Sequence, residues 1–347
     1  MNGIYRLPAE WEPHAATWLA WPHNARDWPG KFAAIRWVYA EIVRHLALSE
    51  PVRILVRSPE QEQEVHNLLQ RSHVDLNQVA CFPIPTNRVW TRDYCPAFVQ
   101  HQSGGVHAVR FGFNGWAKYA DHELDAAVPE RIAQALDIPL KQLSHGDRAV
   151  VLEGGAIDSN GRGTLLTTEE CLLDQQTQVR NPGLSRGDLE AALHVHLGVT
   201  NVIWLGDGIA GDDTHGHVDD LCRFVNPTTV VLVQEDDPQD ANYRALQNNR
   251  ERLESARLED GSRLEVVTLP MPAPLYFENI RLPASYANFY ISNTTVIVPT
   301  FNDPRDRTAL GILADVFPDR KVVGIHAVDL VWGFGTLHCL THEQAAW

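Results

Sequence analysis

At 347 residues with 44% apolar content, the chain can bury a sizeable core and belongs with globular proteins. Its formal net charge of −15, from 44 acidic against 29 basic residues, argues against nucleic acid and anionic membrane surfaces as partners, because both select basic patches. No apolar stretch is long enough to cross a bilayer, and Met1-Asn2-Gly3-Ile4 opens no charged-then-apolar leader. The five cysteines (Cys81, Cys95, Cys171, Cys222, Cys339) are scattered and lack C-x-x-C spacing, which disfavours a disulfide framework or zinc ribbon and fits a reducing cytoplasm.

In chain order, residues 17–21 read as a strand, and 31–48 as a helix with Phe32, Ile35, Val38, Ile42, Val43 and Leu46 at helical spacing. A strand at 53–56 follows, then a helix that Pro59 opens and that runs to Arg71. Residues 106–111 are a strand, with a short helix after Pro129. Residues 149–152 and 163–167 are expected to form a hairpin around Asp158-Ser159-Asn160-Gly161. Ser185 caps a helix that Gly198 stops. Strands at 202–205 and 228–233, a helix at 241–257, and strands at 264–269, 289–292 and 295–299 come next. Asp303-Pro304 opens a helix to Phe317 as N-cap and first residue, and 322–325 is the last strand.

No low-complexity run, charge block or flexible linker divides these elements, so residues 1–347 are expected to form a single domain. Strands that alternate with helices usually imply a doubly wound parallel sheet. Here no strand is followed by a G-x-G-x-x-G or P-loop, and many strands come as close pairs. A β-β-α-β unit repeated around an axis fits better.

Four segments carry chemistry. Gly333-Phe334-Gly335-Thr336-Leu337-His338-Cys339 places one cysteine beyond a glycine hinge, where positive φ and close approach of a ligand are available. If that segment is extended, neighbouring side chains point apart and His338 is structural rather than the base for Cys339. Asp212-Asp213-Thr214-His215-Gly216-His217-Val218-Asp219-Asp220, if extended, puts His215, His217 and Asp219 on one face. That run suits a zinc hydrolase, although the further histidine usual beside the aspartate is Asp220 here. It equally suits His217 as a general acid and base with Asp219 as a substrate carboxylate. In Val89-Trp90-Thr91-Arg92-Asp93-Tyr94-Cys95-Pro96, Trp90 and Asp93 can pair an aromatic face with a carboxylate for a planar cation. The alternative is a core tryptophan beside a surface Arg92–Asp93 ion pair. Leu152-Glu153-Gly154-Gly155 is either a turn or a carboxylate that orients His217.

Together with Pro8-Ala9-Glu10-Trp11-Glu12-Pro13-His14, Thr17-Trp18 and Trp21-Pro22, these segments occur in an order that resembles agmatine deiminases and the related bacterial peptidylarginine deiminases. The resemblance spans Pro8 to Gln344. It implies a five-bladed α/β propeller with a central active site, in agreement with the repeated β-β-α-β unit. It implies Cys339 as nucleophile, His217 as general acid and base, Glu153 as its support, and Asp93 and Asp219 around the guanidinium with Trp90 beside it. A small cationic guanidine is then the substrate, agmatine foremost, with peptidyl or free arginine as the alternative. Neither metal nor organic cofactor is required, and a homodimer is compatible because enzymes of this fold often pair. Three positions depart from the family pattern: Phe334 interrupts a glycine run, Asp213 replaces a frequent glutamate that binds the distal ammonium of agmatine, and Tyr94-Cys95 replaces Thr-Gly.

Overall fold

The structure, a computed structural model, describes residues 4–346; Met1, Asn2 and Gly3, part of the opening segment read above, and Trp347 lie outside the described residues. Short runs of β-branched residues build its strands. Thr229–Gln234 is buried at every position but the last, as expected of a strand covered on both faces. It pairs antiparallel with Cys222–Asn226 and parallel with Glu265–Pro270, and helix Tyr243–Ser255 supplies the crossover that a parallel pair needs.

The same β-β-α-β order recurs in four other sheets. Ala97–His101, Val106–Arg110 and Leu140–Gln142 form one, and Asp158–Ser159, Thr164–Thr168 and Asn201–Leu205 another. Tyr290–Ile291, Thr295–Thr300 and Lys321–His326 form a third. The fourth joins the two ends of the chain: His342–Ala345 runs antiparallel to His14–Ala20, which continues in parallel through Val52–Leu55 to Val79–Phe82. The fold is therefore mixed α/β. Among the described residues, no helix is long and apolar enough to cross a membrane.

Most elements read from periodicity are present. Ile35, Tyr39, Ile42, Val43 and Leu46 line the buried side of helix Phe32–Leu46. Helix Arg186–Leu197 begins in a capping box between Ser185 and Asp188 and ends at Gly198 with φ +73°. Pro304 rather than Asp303 is the N-cap of Arg305–Val316, while Asp303 Oδ1 accepts from the Arg305 amide at 2.7 Å. The hairpin expected at 149–152 is absent. Thr164–Thr168 pairs instead with Asp158–Ser159, because the Asn181 side chain takes both backbone groups of Val151, at 2.9 and 2.7 Å, in place of a strand.

One regularity positions the site. In these five sheets the strand that opens the β-β-α-β unit is preceded by a short turn or helical turn that carries a polar residue inward. These are Asp93 before Ala97–His101, Glu153 before Asp158–Ser159, and His217 with Asp219 before Cys222–Asn226. Asn288 precedes Tyr290–Ile291 and Cys339 precedes His342–Ala345. All of these side chains are buried.

Candidate active site

Cys339 lies in the helical turn Leu337–Leu340, not in an extended segment. The hinge also differs from expectation, because the left-handed residue is Phe334, at φ +65°, and neither flanking glycine takes positive φ. Those glycines serve close approach instead. A Cβ on Gly335 would sit 2.7 Å from the Trp90 ring and 3.1 Å from Cys339 Cβ, and one on Gly333 would sit 2.9 Å from Trp28. Asn288 holds the turn, its Oδ1 accepting from the His338 amide at 3.0 Å and its Nδ2 reaching the thiol at 3.2 Å. Burial, then Asp219, Asp220 and Asp93, push the Cys339 thiol well above its usual range, so it is a neutral thiol in the empty site. Alkylation of Cys339 by iodoacetamide in ligand-free protein should therefore stay slow through neutral pH and accelerate only above about pH 9.

His217 lies among three carboxylates. Its Nδ1 is 3.8 Å from Asp93 and 4.0 Å from Asp219, and its Nε2 is 3.5 Å from Glu153. Burial opposes charge on the ring, yet Asp93 and then Cys171 and Glu153 hold it well above the usual histidine range. The buried Glu153 is fixed from behind by Arg180 Nε at 3.3 Å. Burial works against its charge, but Arg180 and His217 keep it below the usual carboxylate range. Asp93 accepts from Trp116 Nε1 at 2.9 Å and from the Gly155 amide at 3.1 Å. Burial pushes its pKa up to about 6, with His217 opposing and Asp219 and Glu153 adding. Asp219 Oδ2 faces His338 Nδ1 at 2.6 Å, while its Oδ1 has no hydrogen-bond partner.

Of these groups, Asp93 and Cys339 line a cavity of about 350 Å³, together with Trp90, Trp116, Phe334 and Asp213. Trp90 packs on Trp28 with ring centroids 5.9 Å apart. Asp213 is tied to Lys118 and accepts from the Tyr119 hydroxyl at 2.7 Å. A thiol, a histidine and two carboxylates around a part-aromatic cavity suit covalent attack on a planar cation.

Comparison with known proteins agrees. The family model described as Porphyromonas-type peptidyl-arginine deiminase matches residues 6–345. The chain belongs to that family. It is 37% identical over 369 residues to an agmatine deiminase of Stutzerimonas stutzeri, covering 99% of this chain and 96% of the relative. Among solved structures, an agmatine deiminase of Enterococcus faecalis superimposes with a TM-score of 0.89 at 30% identity, over 98% of this chain and 96% of that one. A C. jejuni agmatine deiminase with substrate bound gives 0.87 at 30% identity, over 99% and 96%.

The zinc run fails on geometry in this member of the family. The segment is a loop leading into a helical turn, and His215, at φ +66°, faces away to Asp174 at 2.8 Å and Glu170 at 3.5 Å. Among the described residues, the groups that could hold a metal ion do not include His215; His217 groups with Glu153 and Cys171, and Asp219 with Asp220 and Cys339. The alternative of a surface ion pair between Arg92 and Asp93 is not what forms: Arg92 is buried against Glu10 and Glu343, which leaves Asp93 to face the cavity. Asn288, Trp116, Arg180 and Glu10 went unassigned in the sequence, and His338 was read only as structural. Only Glu10 and His338 lie inside segments that carry the resemblance.

Proposed function

We propose that the protein hydrolyses agmatine to N-carbamoylputrescine and ammonia. The observation that carries this reading is that Cys339 and Asp93, which line one cavity, are joined in a single buried cluster by His217 and Asp219. Asp93 and Asp219 hold the guanidinium plane between them, with Trp90 and Trp116 as walls. The bound cation offsets the carboxylates that suppress ionisation of Cys339, so the thiol releases its proton to solvent when substrate arrives, while His217 keeps its own. The thiolate adds to the guanidinium carbon. His217 protonates the departing amine as ammonia, leaving an amidino thioether. The same histidine then takes a proton from water, which attacks that carbon, and the C–S bond breaks to give the ureido product. Glu153, backed by Arg180, holds the ring in place for both transfers.

Five β-β-α-β sheets, each delivering a polar residue from the turn before its first strand, support a single domain built as a five-bladed propeller with the site on its axis. A cytoplasmic role in polyamine synthesis and a homodimer accompany this reading.

Its test is ammonia and ureido release from a panel of agmatine, arginine and peptidyl arginine. Agmatine should have the highest kcat/KM. Equal or faster turnover of arginine would favour the alternative, for which the family description and the cations Arg26 and Arg88 in the cavity lining speak. Because Lys118 already neutralises Asp213, Asp213→Asn should raise the KM for agmatine less than about tenfold. As Asp93 must be ionised to receive a cation and its pKa is about 6, kcat/KM should fall as pH drops through that value. Guanidine binding below it should release a proton into the buffer, which calorimetry in buffers of different ionisation enthalpy reads.

A further inference from the structure

Behind Asp219 runs a buried chain that the proposed chemistry does not use. His338 Nδ1 lies 2.6 Å from Asp219 Oδ2, and His338 Nε2 lies 2.7 Å from Glu10 Oε2. All three residues are buried. Both ring nitrogens thus face carboxylate oxygens, and a carboxylate has no proton of its own to give. Burial, with Arg223 and Arg92 nearby, holds His338 well below the usual histidine range, so its neutral ring carries one proton and donates at only one of the two contacts. Arg223 Nη2 at 2.7 Å and Arg92 Nη2 at 3.4 Å also donate to Glu10 Oε2, while Glu10 Oε1 accepts from the Ile291 amide at 2.7 Å. Glu10 is therefore anchored to three separate segments and cannot swing away from the ring.

We infer that His338 is a positioning residue: held by Glu10, it keeps Nδ1 protonated toward Asp219 and so fixes that carboxylate as an ionised acceptor with Oδ1 presented to the guanidinium. The unpartnered Oδ1 supports this assignment, because a buried carboxylate oxygen without a donor is costly unless a ligand completes it. The two gripping carboxylates are then held by different devices. Asp93 has neutral donors from Trp116 and Gly155, whereas Asp219 has an imidazole with a carboxylate behind it. This inference rests on the deiminase reading of the site.

Two substitutions separate positioning from packing. An asparagine at 338 places its amide nitrogen near the position of Nδ1 and can still donate to Asp219, whereas a glutamine places its amide near Nε2 and reaches Glu10 instead. His338→Asn should keep the KM for agmatine within about threefold of the parent. His338→Gln should raise it about tenfold or more, the usual loss for a hydrogen bond to a charged group, with a smaller fall in kcat. Equal effects of the two, or a larger effect of asparagine, would overturn the inference, since packing alone favours the larger glutamine. A second measurement needs no turnover. In wild-type protein labelled with 15N-histidine, His338 Nδ1 should remain protonated across the pH range of activity, and an unprotonated Nδ1 would overturn the inference however the variants fold. If no guanidine is turned over by wild-type protein, the proposed function falls, and the nitrogen-15 result still reports the chain by itself.

Discussion

Replacing Cys339 with serine should reduce turnover of agmatine by at least about four orders of magnitude, or roughly 5.5 kcal/mol of transition-state free energy. A serine hydroxyl fits the same space and can accept the Asn288 amide, so the fold and the guanidinium grip survive. It does not ionise in a site that already raises the thiol through burial and three carboxylates. The variant should therefore still bind agmatine, with a dissociation constant close to the parent KM, and accumulate no covalent adduct by mass spectrometry. Single-turnover assays at high enzyme concentration give the residual rate. A variant that retains a tenth of the activity would remove Cys339 from the chemistry.

The next largest effect falls at a residue with no side chain. Gly155 follows Glu153 in the turn before Asp158–Ser159, and its amide donates to Asp93 Oδ1 at 3.1 Å. A methyl group there would lie 2.6 Å from His217 Nδ1, 2.9 Å from Asp93 Oδ1 and 3.1 Å from Asp219 Oδ2. Gly155 does not take positive φ, so alanine strains no backbone, and the cost lies in moving three functional groups at once. Gly155→Ala should lower kcat/KM by about a hundredfold or more, the scale expected when reacting groups are displaced by about 1 Å. The melting temperature should move by only a few degrees. Unfolding in place of inactivation would mean that the glycine serves the turn and not the site.

The sequence was most legible where one residue type allows one role. Glycine at 198 and serine at 185 marked both ends of a helix, and the alternation of strand pairs with single helices pointed to repeated β-β-α-β units. The site was legible through its order of motifs, which brought Cys339, His217, Glu153, Asp93, Asp219 and Trp90 to attention. What escaped follows from distance and from backbone shape. Asn288 sits in a segment without a distinguishing pattern, and only the fold brings it to Cys339. His338 was set aside on the assumption of an extended chain, where neighbours diverge by half a turn. In a helical turn they diverge by about 100°, which leaves room for Cys339 to face the cavity and His338 to face Asp219. His215 failed for the converse reason, since alternation along a strand cannot be applied to a loop with a left-handed residue.

The sheet that pairs His342–Ala345 with His14–Ala20 bears on how the enzyme comes into being during synthesis. Trp18 finds its partner at His342, so this sheet stays one strand short while the intervening chain leaves the ribosome. Cys339 is made at the same late moment, in the turn just before that strand. Closing that strand pair and setting Cys339 and its neighbour His338 in place are thus one event. Long-range pairing of this kind slows folding, and here it couples the placement of Cys339 to the joining of His14–Ala20 with His342–Ala345.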